Sequence, residues 1–233
     1  MKGICLLGTD TGVGKTSLAC GLLHLARNRG LPLIPFKPAE TGCDPLPRDA
    51  MRLLEASGLP HLTLDDVCPY ALKTPVAPSV AARLEGRAID PQILLRRALA
   101  LTTGGQSLLL EGAGGVLTPY GPGVTGATLA GLLDLDVLLV SANRLGTINQ
   151  TLLALEALEH RKLRCAGIVL VNVAATDGPD ARTNATEIQS MSGRKPLGVL
   201  RFVSELTPQA LGFAARADLD LSTLLGGTLQ QAR

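Results

Sequence analysis

The chain has 233 residues, of which 46% are hydrophobic, and this is enough apolar material for one α/β domain spanning residues 1–233. Only 2% are aromatic, so platforms for stacking nucleic-acid bases are nearly absent, and the net charge of +2 is too small to indicate a polyanionic partner. Apolar stretches such as residues 137–140 have the length of strands rather than of membrane spans, and residues 1–3 show no signal-peptide pattern. We expect neither nucleic acid nor a membrane as a partner.

Five cysteines and three histidines are scattered along the chain, and no two cysteines form a C-x-x-C pair. An odd number of isolated cysteines is typical of reduced thiols, with neither a disulfide framework nor a zinc site. The isolated histidines indicate surface or structural roles rather than catalysis. We therefore expect a cytoplasmic protein.

Apolar and amphipathic segments alternate along the whole chain. The predicted strands are residues 2–7, 33–36, 107–110, 136–140, 166–171 and 197–200. The predicted helices are residues 17–29, 49–55, 91–101 and 147–159. Continuous apolar strands that alternate with helices are typical of an α/β fold with a doubly wound, mostly parallel sheet, in which ligands bind beyond the carboxyl ends of the strands. The loops after the strands are therefore where we expect the chemistry.

A glycine-rich loop joins the first predicted strand to the first predicted helix. Five residues separate Gly8 from Gly14-Lys15-Thr16, one more than in the usual phosphate-binding loop. In such a loop, backbone N–H groups and the helix N-terminus bind phosphate, while the lysine contacts the β- and γ-phosphates and the threonine binds Mg²⁺. The strand–loop–helix context favours this P-loop NTPase interpretation over an ordinary glycine-rich turn. The predicted nucleotide-binding residues here are Asp10, Thr11, Gly12, Val13, Gly14, Lys15 and Thr16.

Lys37 follows the second predicted strand and precedes Pro38. Because a residue before proline is held in an extended backbone, Lys37 can project across the strand ends toward the phosphates. A surface lysine is the alternative.

Glu111 follows the third predicted strand and precedes the sequence Gly-Ala-Gly-Gly. An acid at the end of an apolar strand is typical of a Walker-B magnesium ligand. Glycines allow the backbone to approach a ligand closely, so Gly112 and Gly114 are further candidate contacts. A third acid, Asp49, opens the second predicted helix, where an isolated acid could simply favour the helix dipole.

Four segments, taken together and in order, resemble the dethiobiotin synthetases, which are the ATP-dependent carboxylases of biotin synthesis. They are the P-loop with its five-residue spacing, residues 37–42, residues 111–115 and residues 145–149, and the resemblance extends to about Asn172. In this family one amine of 7,8-diaminononanoate captures CO₂ as a carbamate, ATP phosphorylates the carbamate, and the other amine closes the ring. The resemblance implies that Lys15 and Lys37 are the catalytic residues.

The resemblance also implies the ligands of each part of the site. It places Thr16, Asp49 and Glu111 around Mg²⁺, and Asn172 at the adenine of ATP. The substrate-binding residues that it implies are Thr11, Thr41, Thr147, Ile148 and Asn149. It further implies a homodimer with a composite active site, in which residues 147–149 of one copy bind the carboxylate tail of substrate held by the other. The free N–H groups of a helix start suit that role, although Thr147 as an ordinary N-cap is the alternative.

Two segments depart from the family pattern. Residues 37–49 carry Pro45 and Pro47 and are short for the family, so Asp44 could replace Asp49 as the metal ligand. Residues 201–205 lack the proline that the family often has after its last strand, which leaves nucleotide selectivity open.

Two other classes of P-loop protein remain as alternatives. A partitioning-type ATPase would need a polymer- or membrane-binding surface, and the weakly basic residues 223–233 do not indicate one. A cobyrinate-type synthetase commonly carries a glutaminase domain, for which the chain has no room.

Overall fold

The computed structural model describes residues 3–175 and 178–224. Within them the strands are β1 (Gly3–Gly8), β2 (Leu33–Phe36), β3 (Glu40–Thr41), β4 (Ala71–Leu72), β5 (Ser107–Gly115), β6 (Pro119–Gly121), β7 (Val124–Thr125), β8 (Asp136–Ala142), β9 (Cys165–Val171) and β10 (Gly198–Leu200). The helices are α1 (Lys15–Asn28), α2 (Arg48–Ser57), α3 (Leu64–Val67), α4 (Pro78–Leu84), α5 (Pro91–Leu101), α6 (Gly126–Leu132), α7 (Thr147–His160), α8 (Pro179–Ser192) and α9 (Pro208–Asp218). Lys2, where the first predicted strand begins, and residues 225–233 lie outside the described residues.

Six strands form one sheet in the order β10-β9-β8-β1-β5-β2, and every neighbouring pair is parallel. This confirms the predicted α/β fold with a doubly wound, mostly parallel sheet. The strand β1 lies between β8 and β5, so the loop that follows β1 is at the middle of the carboxyl edge. That edge is where parallel sheets bind their ligands.

Helices cover both faces of the sheet, and the central strand shows why its sequence is apolar throughout. Ile4 and Leu6 pack in a buried cluster with residues of α1, α2 and α9. Cys5 and Leu7 point to the opposite face and pack with residues of α5, α6, α7 and α8. Since successive side chains of a strand alternate between the two faces, helices on both sides leave β1 with no face that favours polar side chains.

The structure also contains elements that the sequence did not predict. The strand β5 continues through the glycines to Gly115, because Gly115 pairs with Gly8 of β1 across a register shift. The helix α8 has few apolar residues and buries only Asn184 and Ile188, so its amphipathic pattern is weak. The other unpredicted elements are α3, α4, α6, α9 and the short strand pairs β3–β4 and β6–β7.

All five cysteines are free thiols, and four of them are buried. Among the described residues, no helix combines the length and the apolar character needed to cross a bilayer. The cytoplasmic location stays a prediction.

The start of α2 is held by a carboxylate from another element. Pro47 precedes the helix and gives it no side-chain cap. The Glu40 side chain instead accepts hydrogen bonds from the backbone N–H groups of Asp49, at 2.9 Å, and of Ala50, at 3.0 Å. A negative charge that satisfies free N–H groups at the positive end of a helix stabilises that end. Glu40 therefore fixes where α2 begins and where Asp49 lies.

We predict that Glu40→Ala lowers the free energy of unfolding by about 2 kcal/mol, because two N–H groups at a partly buried helix start lose their acceptor. Urea denaturation measures the change. Glu55→Ala, at an exposed position near the other end of the same helix, is the matched control and should change stability by less than about 0.5 kcal/mol. Equal stability of the two variants would contradict the capping role.

Candidate active site

The loop after β1 requires glycine at defined positions. Gly12 and Gly14 have φ angles of 71° and 92°, in the left-handed region that favours glycine. Gly14 is the N-cap of α1, and a Cβ atom there would lie 2.6 Å from Cγ1 of Val171. The backbone of this loop therefore packs closely against the end of β9, and its N–H groups lie at the start of α1.

The ammonium of Lys15 lies at the centre of this loop. It donates hydrogen bonds to the carbonyl oxygens of Asp10, at 2.8 Å, and of Gly114, at 2.7 Å. Burial lowers the pKa of Lys15 to about 8, although the nearby Glu111 acts in the opposite direction. Lys15 thus connects the P-loop to the glycine segment of β5, as a cation that a phosphate could approach.

Sheet register brings the second lysine to the same place. Phe36 pairs with Leu110, so the next residues along β2 and β5 are Lys37 and Glu111. The Nζ atom of Lys37 lies 2.5 Å from Oε1 of Glu111 and 3.0 Å from Oδ2 of Asp49. Lys37 is only 3% exposed, so the surface-lysine alternative is wrong.

Thr16 completes this cluster, since its hydroxyl donates a hydrogen bond of 2.8 Å to Oε1 of Glu111. Burial by itself would lower the pKa of Lys37, but the carboxylates of Glu111 and Asp49 outweigh it and raise that pKa. Burial would raise the pKa of Asp49, but the neighbouring Lys37 lowers it. The lysine and the aspartate are therefore both charged near neutral pH, and each stabilises the other.

The donors in this cluster fit a magnesium ion. Oε2 of Glu111 is buried and has no hydrogen-bond partner among the described residues, which is costly for a carboxylate oxygen unless a ligand occupies it. Thr16 and Asp49 add a hydroxyl and a second carboxylate. The described residues contain no group of three or more acidic, histidine or cysteine side chains that could hold a metal. Mg²⁺ suits such a sparse set, because it usually keeps several waters and also takes phosphate oxygens.

The structure distinguishes the two candidate aspartates. Asp49 is the second residue of α2 and is hydrogen-bonded to Lys37, whereas Asp44 is exposed in the preceding loop. Asp49 also borders the cleft described next, and Asp44 does not. Asp49 and Glu111 thus share Lys37 as a partner, which Asp44 does not contact by any hydrogen bond among the described residues.

A cleft of about 520 Å³ extends from this cluster across the carboxyl ends of β9 and β10. Its lining residues include Thr11, Gly12, Gly14, Lys15, Thr16, Asp49, Arg52, Glu111, Gly114, Asn172 and residues 200–204. Residues 201–204, which belong to the segment after the last strand that departs from the family pattern, therefore line the same cleft as the P-loop. Arg201 anchors it through a bidentate ion pair with Asp218 of α9.

Two buried amides that the sequence analysis missed orient Asn172. Nδ2 of Asn143 donates to Oδ1 of Asn172 at 2.8 Å, and Nδ2 of Asn184 donates to Oδ1 of Asn143 at 3.0 Å. Asn143 directly follows β8, so the rule that polar residues after strands are candidates could have found it. Asn184 lies on the polar helix α8, where nothing in the sequence distinguishes it.

Residues 147–149, which were expected to bind the carboxylate tail of the substrate, begin with a buried residue. Thr147 is the first residue of α7 and Gly146 is its N-cap, so the N-cap alternative for Thr147 is wrong. The Thr147 hydroxyl lies 2.5 Å from that of Ser141, which is 3.0 Å from that of Thr9. The backbone N–H of Thr147 donates to the carbonyl of Arg144 at 3.1 Å. The polar groups of Thr147 therefore already have partners within the chain.

Three of the other implied substrate contacts, Thr41, Ile148 and Asn149, do not line the cleft. Ile148 is half-buried and Asn149 is exposed at the start of α7, and Thr41 pairs with Leu72 in the β3–β4 sheet. Thr11 is exposed and does border the cleft.

Among the implied nucleotide contacts, Val13 is buried, Asp10 accepts a hydrogen bond from the N–H of Thr11, and a Cβ atom at Gly112 would meet Leu7 at 2.7 Å.

Solved structures with a similar fold are P-loop ATPases. MinD from Aquifex aeolicus is similar with a TM-score of 0.59 and 15% identity, covering 99% of this chain and 96% of that one. A ParA family ATPase from Chlorobium tepidum is similar with a TM-score of 0.55 and 13% identity, covering 98% of each chain. At these identities the likeness shows the fold alone.

Sequence relatives are more informative. The family described as an AAA domain matches residues 2–210. The ATP-dependent dethiobiotin synthetase BioD of Anaeromyxobacter dehalogenans is 42% identical over 231 residues, which cover 99% of this chain and all of that protein. The protein of the same name from Bacillus licheniformis is 33% identical, with coverage of 97% and 96%. With a P-loop fold, a buried lysine–carboxylate cluster beside the loop and relatives aligned over nearly their whole length, the chain belongs to the family of ATP-dependent dethiobiotin synthetases.

Proposed function

We propose that this chain is a ligase that converts 7,8-diaminononanoate, CO₂ and ATP into dethiobiotin, ADP and phosphate, with Mg²⁺. The observation that supports this most is the position of Lys37, a second buried lysine beside the P-loop lysine and the Thr16–Glu111 pair. A carbamate and a γ-phosphate are both anions. Cations aimed at both groups lower the barrier to joining them.

The reaction begins with carbamate formation, which is followed by two group-transfer steps. One substrate amine and CO₂ form a carbamate with loss of a proton, and a carbamate oxygen then attacks the γ-phosphorus, so that ADP leaves and a carbamic–phosphoric anhydride forms. The second amine attacks the carbonyl carbon, which closes the ring and releases phosphate and a proton. Lys15 and the P-loop amides hold the β- and γ-phosphates, and Lys37 holds the carbamate oxygen.

An ammonium has three N–H donors, and Lys37 gives two of them to Glu111 and Asp49, so the third would bind the carbamate. The contact of Lys37 with Asp49 is the more accessible one, since the Asp49 side chain is 38% exposed and that of Glu111 is fully buried. Bound Mg²⁺ would neutralise charge on the transferring phosphoryl group, with Thr16, Asp49 and Glu111 as its protein ligands. Asn172, oriented by Asn143, would contact the adenine.

The substrate tail requires a second anchor. The reacting amines lie at the P-loop, where Thr11 and Thr41 would contact substrate or phosphate, so the far carboxylate must bind elsewhere. We assign that role to the N–H groups of Ile148 and Asn149 in a second copy of the chain, because both are near the positive end of α7. The active enzyme is then a homodimer with a composite site.

The direct test mixes the protein with diaminononanoate, bicarbonate, Mg²⁺ and ATP and detects dethiobiotin by mass. We expect product with wild type and at least a hundredfold less with Lys37→Gln, on the order of the loss caused by removing one charge-stabilising donor. ATP hydrolysis that is independent of diaminononanoate, without any dethiobiotin, would instead indicate a partitioning-type ATPase.

For the P-loop, we predict that Lys15→Ala reduces dethiobiotin formation by about 10²- to 10³-fold, because one cation at the transferring phosphate is lost. Initial rates measure the effect, and circular dichroism verifies that the variant is folded. Lys73→Ala, at an exposed loop position, is the matched control. Normal turnover of a folded Lys15→Ala protein would exclude the P-loop assignment.

For the metal, we predict that Asp49→Asn and Glu111→Gln raise the Mg²⁺ concentration needed for half-maximal activity by about tenfold or more, because each removes a carboxylate ligand. Titration of initial rates with MgCl₂ measures this. Asp44→Asn is the control, and its Mg²⁺ dependence should equal that of wild type. If only Asp44→Asn changed the Mg²⁺ dependence, the choice of Asp49 would be wrong.

For the composite site, we predict rescue in mixed dimers. A Lys15→Ala chain is combined with a chain that carries Asn149→Asp, whose acidic side chain repels the substrate carboxylate. The mixed dimer rebuilds one intact site and should recover about half the activity of a wild-type dimer, whereas each variant alone is nearly inactive. A monomer in solution, or no recovery on mixing, would refute the cross-subunit arrangement.

A further inference from the structure

A third cationic side chain borders the cleft, and the proposed reaction does not use it. Arg52 lies on α2, three residues after Asp49, so the two side chains are on the same face of the helix. Arg52 lines the cleft together with Lys15, Thr16 and Glu111. It therefore approaches the phosphate region from α2, whereas Lys15 comes from the P-loop and Lys37 from the end of β2.

The guanidinium of Arg52 is incompletely paired. Its Nη2 atom is buried without a hydrogen-bond partner among the described residues, and no ion pair between those residues includes Arg52. Two acids lie three residues from Arg52 on the same helix: Asp49 is already paired with Lys37, and Glu55 forms no ion pair with Arg52. An arginine is charged at every physiological pH, and leaving a buried donor unsatisfied costs free energy.

A nucleotide phosphate is the anion that this cleft would supply. Phosphate oxygens match the planar fork of a guanidinium, which can donate two parallel hydrogen bonds to them. We propose that Arg52 binds a phosphate of the bound nucleotide, as a contact from α2 in addition to those of the P-loop. The proposal rests on ATP binding in this cleft and does not depend on which acceptor receives the γ-phosphoryl group.

The test measures ADP affinity by isothermal titration calorimetry in the presence of Mg²⁺, with full-length protein. Arg52→Gln should weaken ADP binding about tenfold, because a charge-assisted hydrogen bond is lost. Arg52→Lys should lie between this variant and wild type, since it keeps the charge but not the fork. Arg48→Gln is the matched control, because Arg48 is exposed on the same helix and does not line the cleft, and it should bind ADP within about twofold of wild type.

Two outcomes would overturn the proposal. One is that Arg52→Gln binds ADP within about twofold of wild type. The other is that it lowers the melting temperature of the nucleotide-free protein while the folded fraction keeps its ADP affinity, which would indicate a purely structural arginine. If Arg52→Gln does not fold, Arg52→Met keeps the apolar stem and gives the same comparison. Because ADP binding needs no diaminononanoate, failure to form dethiobiotin would refute the proposed function and leave this test unaffected.

Discussion

The site depends on a fully buried carboxylate, Glu111, in the strand β5 beside the central strand β1. A charged group in such a place is tolerated only when it is paired, and Lys37 and Thr16 both donate hydrogen bonds to it. These contacts join the start of α1, the end of β2 and the strand β5. Removing one partner of such a pair leaves a buried charge uncompensated, which typically costs about 3–5 kcal/mol. Breaking the contact that organises the candidate active site would therefore also destabilise the fold around it.

The helix α2 supplies the opposite wall of the cleft, and its position is set from outside the helix. Glu40 accepts hydrogen bonds from the first N–H groups of α2, which fixes where Asp49 meets Lys37. Arg52 lies one turn later on the same face of this helix and lines the cleft. Because its start is held by a carboxylate on β3, α2 can orient both the acidic Asp49 and the cationic Arg52 toward one ligand.

The remaining walls are held by polar side chains of neighbouring elements. The amides of Asn143 and Asn184 orient Asn172 after β9, and the pair between Arg201 and Asp218 holds the segment after β10. Both of these loops at the carboxyl edge are therefore anchored by at least one side chain from another element. Loops that are held in this way present ligand contacts with little loss of conformational entropy on binding.

The sequence by itself determined the sheet, the P-loop and the strand-end positions of Lys37 and Glu111, because apolar runs, glycine spacing and strand ends are local patterns. Its ordered motifs also indicated the family. Only the tertiary structure placed Asp49, and not Asp44, beside Lys37 and in the cleft, turned the Thr147 hydroxyl inward and brought Arg52 to the cleft. Those outcomes depend on strand register and helix packing. Both bring together residues that are far apart in the chain, so the local sequence around each residue does not reveal them.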